Sequence, residues 1–251
     1  MIIEFYGIPG CGKSTLSESL YKIISKKRSN KNVYYYSDIL KEYNSKYRIK
    51  FCCCQKYIWL VICELLFLFF YINNKKALIS LIILAIQLKS SFMYFIRSLE
   101  IMAIYQYIKK THDNDIIIVD HGIIQNIISL VYMHKIKNTA KFLSRVINVI
   151  ENNTYYVFIK TNPNISCKRI RNRQNQHGRL PIIENDVKLV EVLEYQYYLF
   201  FSICKSLKSI NMVKYYEYTN NDYLFESIEK TSNSLYKKIT KMKGEFICQT
   251  E

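Results

Sequence analysis

The chain has 251 residues, half of them hydrophobic and 22% charged, which is enough apolar material for one sizeable core and excludes a disordered chain. Six glycines and three prolines exclude collagen-like or low-complexity architecture, and 36 Lys and Arg against 20 Asp and Glu leave a net charge of +16 that favours anionic partners such as phosphates. Eight cysteines show no repeated C-x-x-C pair and no histidine at zinc-finger spacing, so they read as reduced thiols of a cytoplasmic chain.

The first strand is expected over Met1 to Tyr6, followed by a glycine-rich loop and a helix from about Lys13 to Lys26. Val33 to Tyr36 reads as a second strand ending at Ser37-Asp38. From about 39 to 110 the pattern is helical and increasingly apolar. Within it, Ile58 to Ile72 is broken only by Glu64, and Ala77 to Leu88 only by Ser80 and Gln87. Neither run reaches the roughly 18–20 apolar residues of a spanning helix. They read as buried helices of one lobe, with peripheral membrane docking or a homodimer contact through 58–88 as the alternative. Asp115 to Asp120 is a β-branched run typical of a buried parallel strand. Helices are expected at Ile123 to His134 and Thr139 to Ile150, and a strand at Tyr155 to Lys160. A basic helix follows at Ile165 to Arg173, then a long helix at Asp186 to Leu207, a last strand at Met212 to Tyr218 and a closing helix at Tyr223 to Lys241. Strands alternating with helices indicate one α/β domain with a parallel central sheet and an inserted helical lobe.

The strongest local signal is Gly7-Ile8-Pro9-Gly10-Cys11-Gly12-Lys13-Ser14, followed by Thr15, which fits G-x-x-x-x-G-K-[ST] with a strand before it and a helix after. Its glycines let successive backbone N–H groups face one phosphate, and the helix adds the positive end of its dipole. Lys13 is placed to reach the β- and γ-phosphates, and the Ser14 hydroxyl to hold Mg²⁺. Gly7, Pro9, Gly10, Cys11, Gly12, Lys13, Ser14 and Thr15 are therefore the candidate nucleotide site. Cys11 reads as a space-filling residue, which a thiolate-stabilising helix N-terminus would make alkylatable. Ile116 to Val119 ends in Asp120, a carboxylate suited to share Mg²⁺ with Ser14, although many strands end in a capping Asp. His121 and Gln125, just beyond, are candidates for contact with an acceptor; the alternatives are a merely structural histidine and an ordinary helix-surface glutamine. Cys167-Lys168-Arg169-Ile170-Arg171-Asn172-Arg173 concentrates positive charge, with Arg169 and Arg173 on one helical face and Arg179 nearby. Arginines on a mobile segment can stabilise a phosphoryl group in transfer, so 165–182 is expected to be an arginine lid; a solvated basic face or a nucleic-acid contact surface is the alternative.

In these pieces, in this order, the chain resembles the thymidylate kinase-like branch of the P-loop nucleoside and nucleotide kinases. The resemblance rests on Gly7 to Thr15, on Val119-Asp120-His121, on Asn162-Pro163 leading into the arginine cluster, and on the last strand near Tyr218. It implies a P-loop NTPase three-layer fold: a five-stranded parallel sheet with helices on both faces. It also implies MgATP as donor and a lid role for Arg169, Arg173 and Arg179. Asp38 matches the place of a carboxylate base. Two departures stand out. The family's Asp-Arg or Glu-Arg after the third strand is here Asp120-His121-Gly122, which removes the arginine used on an acceptor's phosphate. The lobe from 57 to 108 is more apolar than a nucleotide acceptor site requires. The expectation is an ATP-dependent kinase of a small-molecule acceptor, of nucleoside or nucleoside monophosphate type. The rivals are a nucleotide-binding switch or pseudokinase with a docking lobe, and a nucleic-acid end kinase, although no separate nucleic-acid module is visible.

Overall fold

A computed structural model describes residues 1–27, 32–47, 92–134, 154–172, 183, 185–208, 214–221 and 228–238, with side chains left out at 47, 92–99, 130, 133–134, 206–208 and 214–215. The apolar runs at 58–88 and the expected helix at 139–150 lie outside these residues. Strand β1 is Ile2–Tyr6, and helix α1 is Lys13–Lys27. Strand β2 is Val33–Tyr35, and α2 is Tyr36–Tyr47. Then come α3 (Phe92–Thr111), β3 (Ile116–Val119), α4 (Ile123–His134), β4 (Thr154–Lys160), α5 (Pro163–Arg171), α6 (Asp186–Lys208) and β5 (Lys214–Thr219). A last helix, α7, covers 228–238.

The five strands form one parallel sheet in the order β2-β3-β1-β4-β5. Together with the glycine loop after β1, this is the P-loop NTPase three-layer fold. All five residues of β1 and all four of β3 are buried, which is why β3 reads as an unbroken apolar run and β1 as one interrupted only by Glu4. Register carries Ile3 beside Ile118, and Ile118 beside Tyr35. On that face the Tyr35 ring meets Tyr21 of α1, with centroids 4.8 Å apart. Helix α7 lies alongside α1 through the Ser232–Ser19 hydroxyl bond of 3.0 Å. The opposite face carries Ile2, Glu4 and Tyr6, because side chains alternate along a strand. There the Tyr6 ring stacks on Phe158 of β4 at 5.3 Å and on Phe200 of α6 at 6.1 Å. Glu4 on this face meets α3 and the start of α4, as described below.

Three boundaries that bear on the site differ from the sequence reading. Strand β2 stops at Tyr35, so Asp38 stands in the first turn of α2 rather than at a strand end. Helix α5 starts earlier, at Pro163, with the Asn162 side chain accepting the Asn164 N–H at 2.9 Å. Its described end is at Arg171, where Asn172 caps it, its N–H donating to the Lys168 carbonyl at 3.0 Å.

The chain leaves β1 for β2 on one side and later crosses from β3 to β4 on the other. The sheet order therefore reverses direction at β1. In open α/β sheets the crevice beyond the strands' carboxyl ends at such a reversal is where ligands bind. The glycine loop leaves β1 at that point.

Candidate nucleotide site

The loop from Gly7 to Gly12 curls back on itself, with the Cys11 N–H donating to the Ile8 carbonyl at 3.2 Å. Gly12 has φ +93°, a conformation that side-chain-bearing residues rarely adopt. A Cβ there would also stand 2.5 Å from Asn220 Nδ2, so the position demands glycine twice over. Lys13 is buried, and its ammonium donates to the Gly7 carbonyl at 2.8 Å and the Ile8 carbonyl at 3.2 Å. The charge thus lies across the loop, where a phosphate cradled by the loop amides would meet it. Ser14 and Thr15 are exposed at the start of α1. Cys11 is fully buried, which matches the space-filling reading and removes the expected alkylation: its sulfur packs toward Gly7, inside the loop.

The Ser14 hydroxyl donates to Asp120 Oδ2 at 3.3 Å across 106 positions of sequence. One oxygen comes from the helix after β1 and the other from the end of β3, the strand beside it. Two hard oxygen donors beside a phosphate loop fit Mg²⁺, which takes few protein ligands and completes its shell with phosphate and water. Among the described residues no cluster of three or more His, Cys, Asp or Glu is placed to hold a metal by itself.

Behind Asp120 lies a feature the sequence reading missed. Glu4 of β1 is fully buried. Its Oε1 accepts the Ile124 N–H at 2.7 Å, and its Oε2 accepts the Tyr105 hydroxyl at 2.7 Å. The carboxyl group therefore sits on the first turn of α4. Burial pushes its pKa up to about 7, while the Tyr105 hydroxyl and the amides of Ile123, Ile124 and Gln125 pull it the other way. Gly122 lies so close above it that an added Cβ would stand 2.3 Å from the Glu4 carboxyl carbon and 2.4 Å from the Tyr105 hydroxyl. This explains the glycine in Asp120-His121-Gly122: the turn linking the Asp120 strand to α4 passes directly over a buried acid. The one signal in the sequence was a carboxylate inside the otherwise apolar run Ile2 to Tyr6.

His121 is exposed and Gln125 half-buried on the same carboxyl edge, either side of that turn. Among the described residues no donor reaches the buried Gln125 side-chain oxygen, whereas the Gln125 backbone carbonyl accepts from Ser129 at 3.0 Å. Asp38 is exposed and pairs with Lys41 at 3.5 Å, one turn along α2. It shares the carboxyl edge with Asp120 through the β2–β3 pairing, but no described contact joins it to the phosphate loop.

The arginine cluster divides. Arg169 turns toward the end of β5, donating to the Asn220 carbonyl at 3.2 Å and to its side-chain oxygen at 3.5 Å. Arg171 donates to Asp186 at 2.7 Å and to the Ile183 carbonyl at 2.5 Å, tying the end of α5 to the start of α6. Arg173 and Arg179 lie outside the described residues. Among the described residues no helix is long and apolar enough to cross a membrane.

No protein-family model matches the chain, and no curated protein matches it significantly. Solved structures do resemble it remotely. A deoxyadenosine kinase from M. mycoides with bound dATP is 14% identical, with a TM-score of 0.47, over 94% of this chain and 100% of that one. A shikimate kinase from Bacteroides thetaiotaomicron is 13% identical, with a TM-score of 0.44, over 96% and 98%. The M. mycoides enzyme with bound dCTP is 15% identical, with a TM-score of 0.43, over 94% and 100%. Likeness this distant does not extend to substrates.

Proposed function

We propose that the chain is an ATP-dependent phosphotransferase that moves the γ-phosphoryl group of ATP to a hydroxyl of a small-molecule acceptor, in the manner of nucleoside and nucleotide kinases. The observation that carries this reading is the Ser14–Asp120 bond at the switch point of the sheet, beside a loop crossed by the Lys13 ammonium. A phosphate loop alone binds nucleotide. A serine of the helix paired with an aspartate at the end of the adjoining strand would add the means to hold Mg²⁺ beside a bound nucleotide.

In this reading the loop amides and Lys13 hold the triphosphate. Ser14 and Asp120 would hold Mg²⁺, which when bound offsets charge on the phosphate oxygens. The acceptor lies along the edge formed by Asp120, His121 and Gln125. Its hydroxyl oxygen forms the new bond to phosphorus as the bond to the ADP oxygen breaks, and the hydroxyl proton passes to Asp38. The Arg173 and Arg179 guanidiniums stabilise the charge on the group in transfer, a contribution worth about 10³ to 10⁵ in rate for a well-placed arginine. Because the turn after Asp120 carries His121 and Gly122 in place of an arginine, an acceptor without a phosphate of its own, such as a nucleoside, suits this edge better than a nucleoside monophosphate.

The experiment is ATP turnover by the purified chain with Mg²⁺, with no acceptor and with separate pools of nucleosides, nucleoside monophosphates and sugars. Stimulation by one pool, lost in Lys13→Ala, supports the proposal and names the acceptor class. Lys13-dependent ATP binding without stimulation by any pool refutes small-molecule transfer and leaves a nucleotide-gated binding protein.

A further inference from the structure

We propose that Arg169 and Asn220 act as a brace that fixes the phosphate loop from behind, which makes Asn220 a positioning residue for nucleotide binding and moves Arg169 away from the group in transfer. The inference rests on the phosphate-loop reading above.

The contacts form a chain across three strand ends. Asn220 follows β5 and is 5% exposed, and its backbone N–H donates to the Lys160 carbonyl at the end of β4 at 2.7 Å. Its side-chain Nδ2 donates to the Cys11 carbonyl at 2.8 Å, 209 positions away in sequence. The buried Thr161 hydroxyl lies 3.3 Å from the same Cys11 carbonyl and 3.2 Å from the Asn220 carbonyl, and shares its one proton between them. Arg169 reaches in from α5 and donates to both oxygens of Asn220.

The donors and acceptors decide the amide's orientation. A guanidinium only donates, so the oxygen of Asn220 must face Arg169; a carbonyl only accepts, so the nitrogen must face Cys11. Arg169 therefore fixes the rotamer in which Asn220 can hold the loop. The consequence reaches the ligand side through the Cys11–Gly12 peptide. That peptide is trans, so its C=O and N–H point in opposite directions. Pulling the Cys11 carbonyl toward β4 and β5 turns the Gly12 N–H away from them. The same brace packs Nδ2 against Gly12, where a Cβ would stand 2.5 Å from it. A loop fixed in this form before nucleotide arrives loses less entropy on binding.

The test uses the full chain and two readouts: hydrogen exchange of the peptide covering residues 7–15 without nucleotide, and MgATP affinity by titration calorimetry. Asn220→Asp keeps the shape but turns a carboxylate oxygen toward the Cys11 carbonyl. Thr161→Val removes one donor without changing volume, and guards against a folding failure of the first variant. Arg169→Ala removes the fork. The brace predicts faster exchange confined to 7–15 in all three, and MgATP affinity weakened roughly tenfold or more in Asn220→Asp. Arg169→Ala combined with Asn220→Ala should be no weaker than Asn220→Ala alone, because the two act as one unit. Unchanged exchange at 7–15 would overturn the brace. So would an Arg169→Ala chain that binds MgATP normally and loses only turnover, since Arg169 would then touch the group in transfer. Altered exchange in a chain whose wild type binds no MgATP would uphold the brace and refute the nucleotide reading instead.

Discussion

Glutamine at position 4 should change how stability responds to pH. Glu4 is fully buried, with one carboxylate oxygen on the Ile124 N–H and the other on the Tyr105 hydroxyl. Burial outweighs these donors and raises its pKa from 4.5 to about 7. Between those two values the unfolded chain has released the proton that the folded chain still holds. The folded state binds more protons there, so stability falls as pH rises. At 1.36 kcal/mol per pH unit, the gap between 4.5 and about 7 amounts to roughly 3 kcal/mol, fully lost once pH exceeds the folded value. The glutamine amide fills the same space and does not titrate. Urea unfolding of wild type and Glu4→Gln from pH 4.5 to 8 isolates the effect, because every other group is common to both chains. The midpoint of Glu4→Gln should gain on wild type steadily across the interval and then run level above pH 7 to 8. A difference between the two chains that does not vary with pH would refute the argument.

Further outcomes follow from the same geometry. Gly122→Ala puts a methyl group 2.3 Å from the Glu4 carboxyl carbon, so the turn must shift; we expect a loss of about 1–3 kcal/mol in unfolding free energy and weaker Mg²⁺-dependent ATP binding, since Asp120 moves with it. Lys13→Ala removes an ammonium that spans the loop, and ATP affinity should fall by about ten- to a hundredfold, on the order of 1.5–3 kcal/mol for a charged hydrogen bond, with the circular dichroism spectrum unchanged. Asp120→Asn should raise the Mg²⁺ concentration that supports half-maximal ATP turnover while leaving metal-free nucleotide binding nearly intact. Phe200→Ala opens the stack with Tyr6 and Phe158 and should cost about 3–5 kcal/mol of stability by chemical denaturation.

What the sequence disclosed and what it withheld divide by contact distance. The phosphate loop was legible because its chemistry is contiguous from Gly7 to Thr15 and its flanking strand and helix are strongly patterned. Asp120 was legible because an apolar β-branched run ends on it. The sheet followed from the alternation of strands with helices, which the parallel order then realised. The acid behind the site was hidden because its partners lie 101 and 120 positions away, at Tyr105 and Ile124, and a pattern reading treats Glu4 as a single polar interruption of a strand. The contacts of Arg169 were hidden for a related reason. Helical spacing puts it on one face with Arg173, but its direction is set by Asn220, 51 positions on, which offers two acceptors to a rigid fork. Asp38 shifted from strand end to helix because α2 begins directly after Tyr35, with an acidic residue in its first turn as the helix dipole favours.

Phosphate transfer by this loop and carboxylate pair, as proposed, is decided by following γ-³²P from labelled ATP with Mg²⁺ in the presence of a nucleoside pool. A labelled acceptor product whose formation requires Lys13 and Asp120 is the expected result. ATP that binds in a Lys13-dependent way but releases label only to water, with nucleosides, nucleoside monophosphates and sugars each supplied in turn, would contradict it.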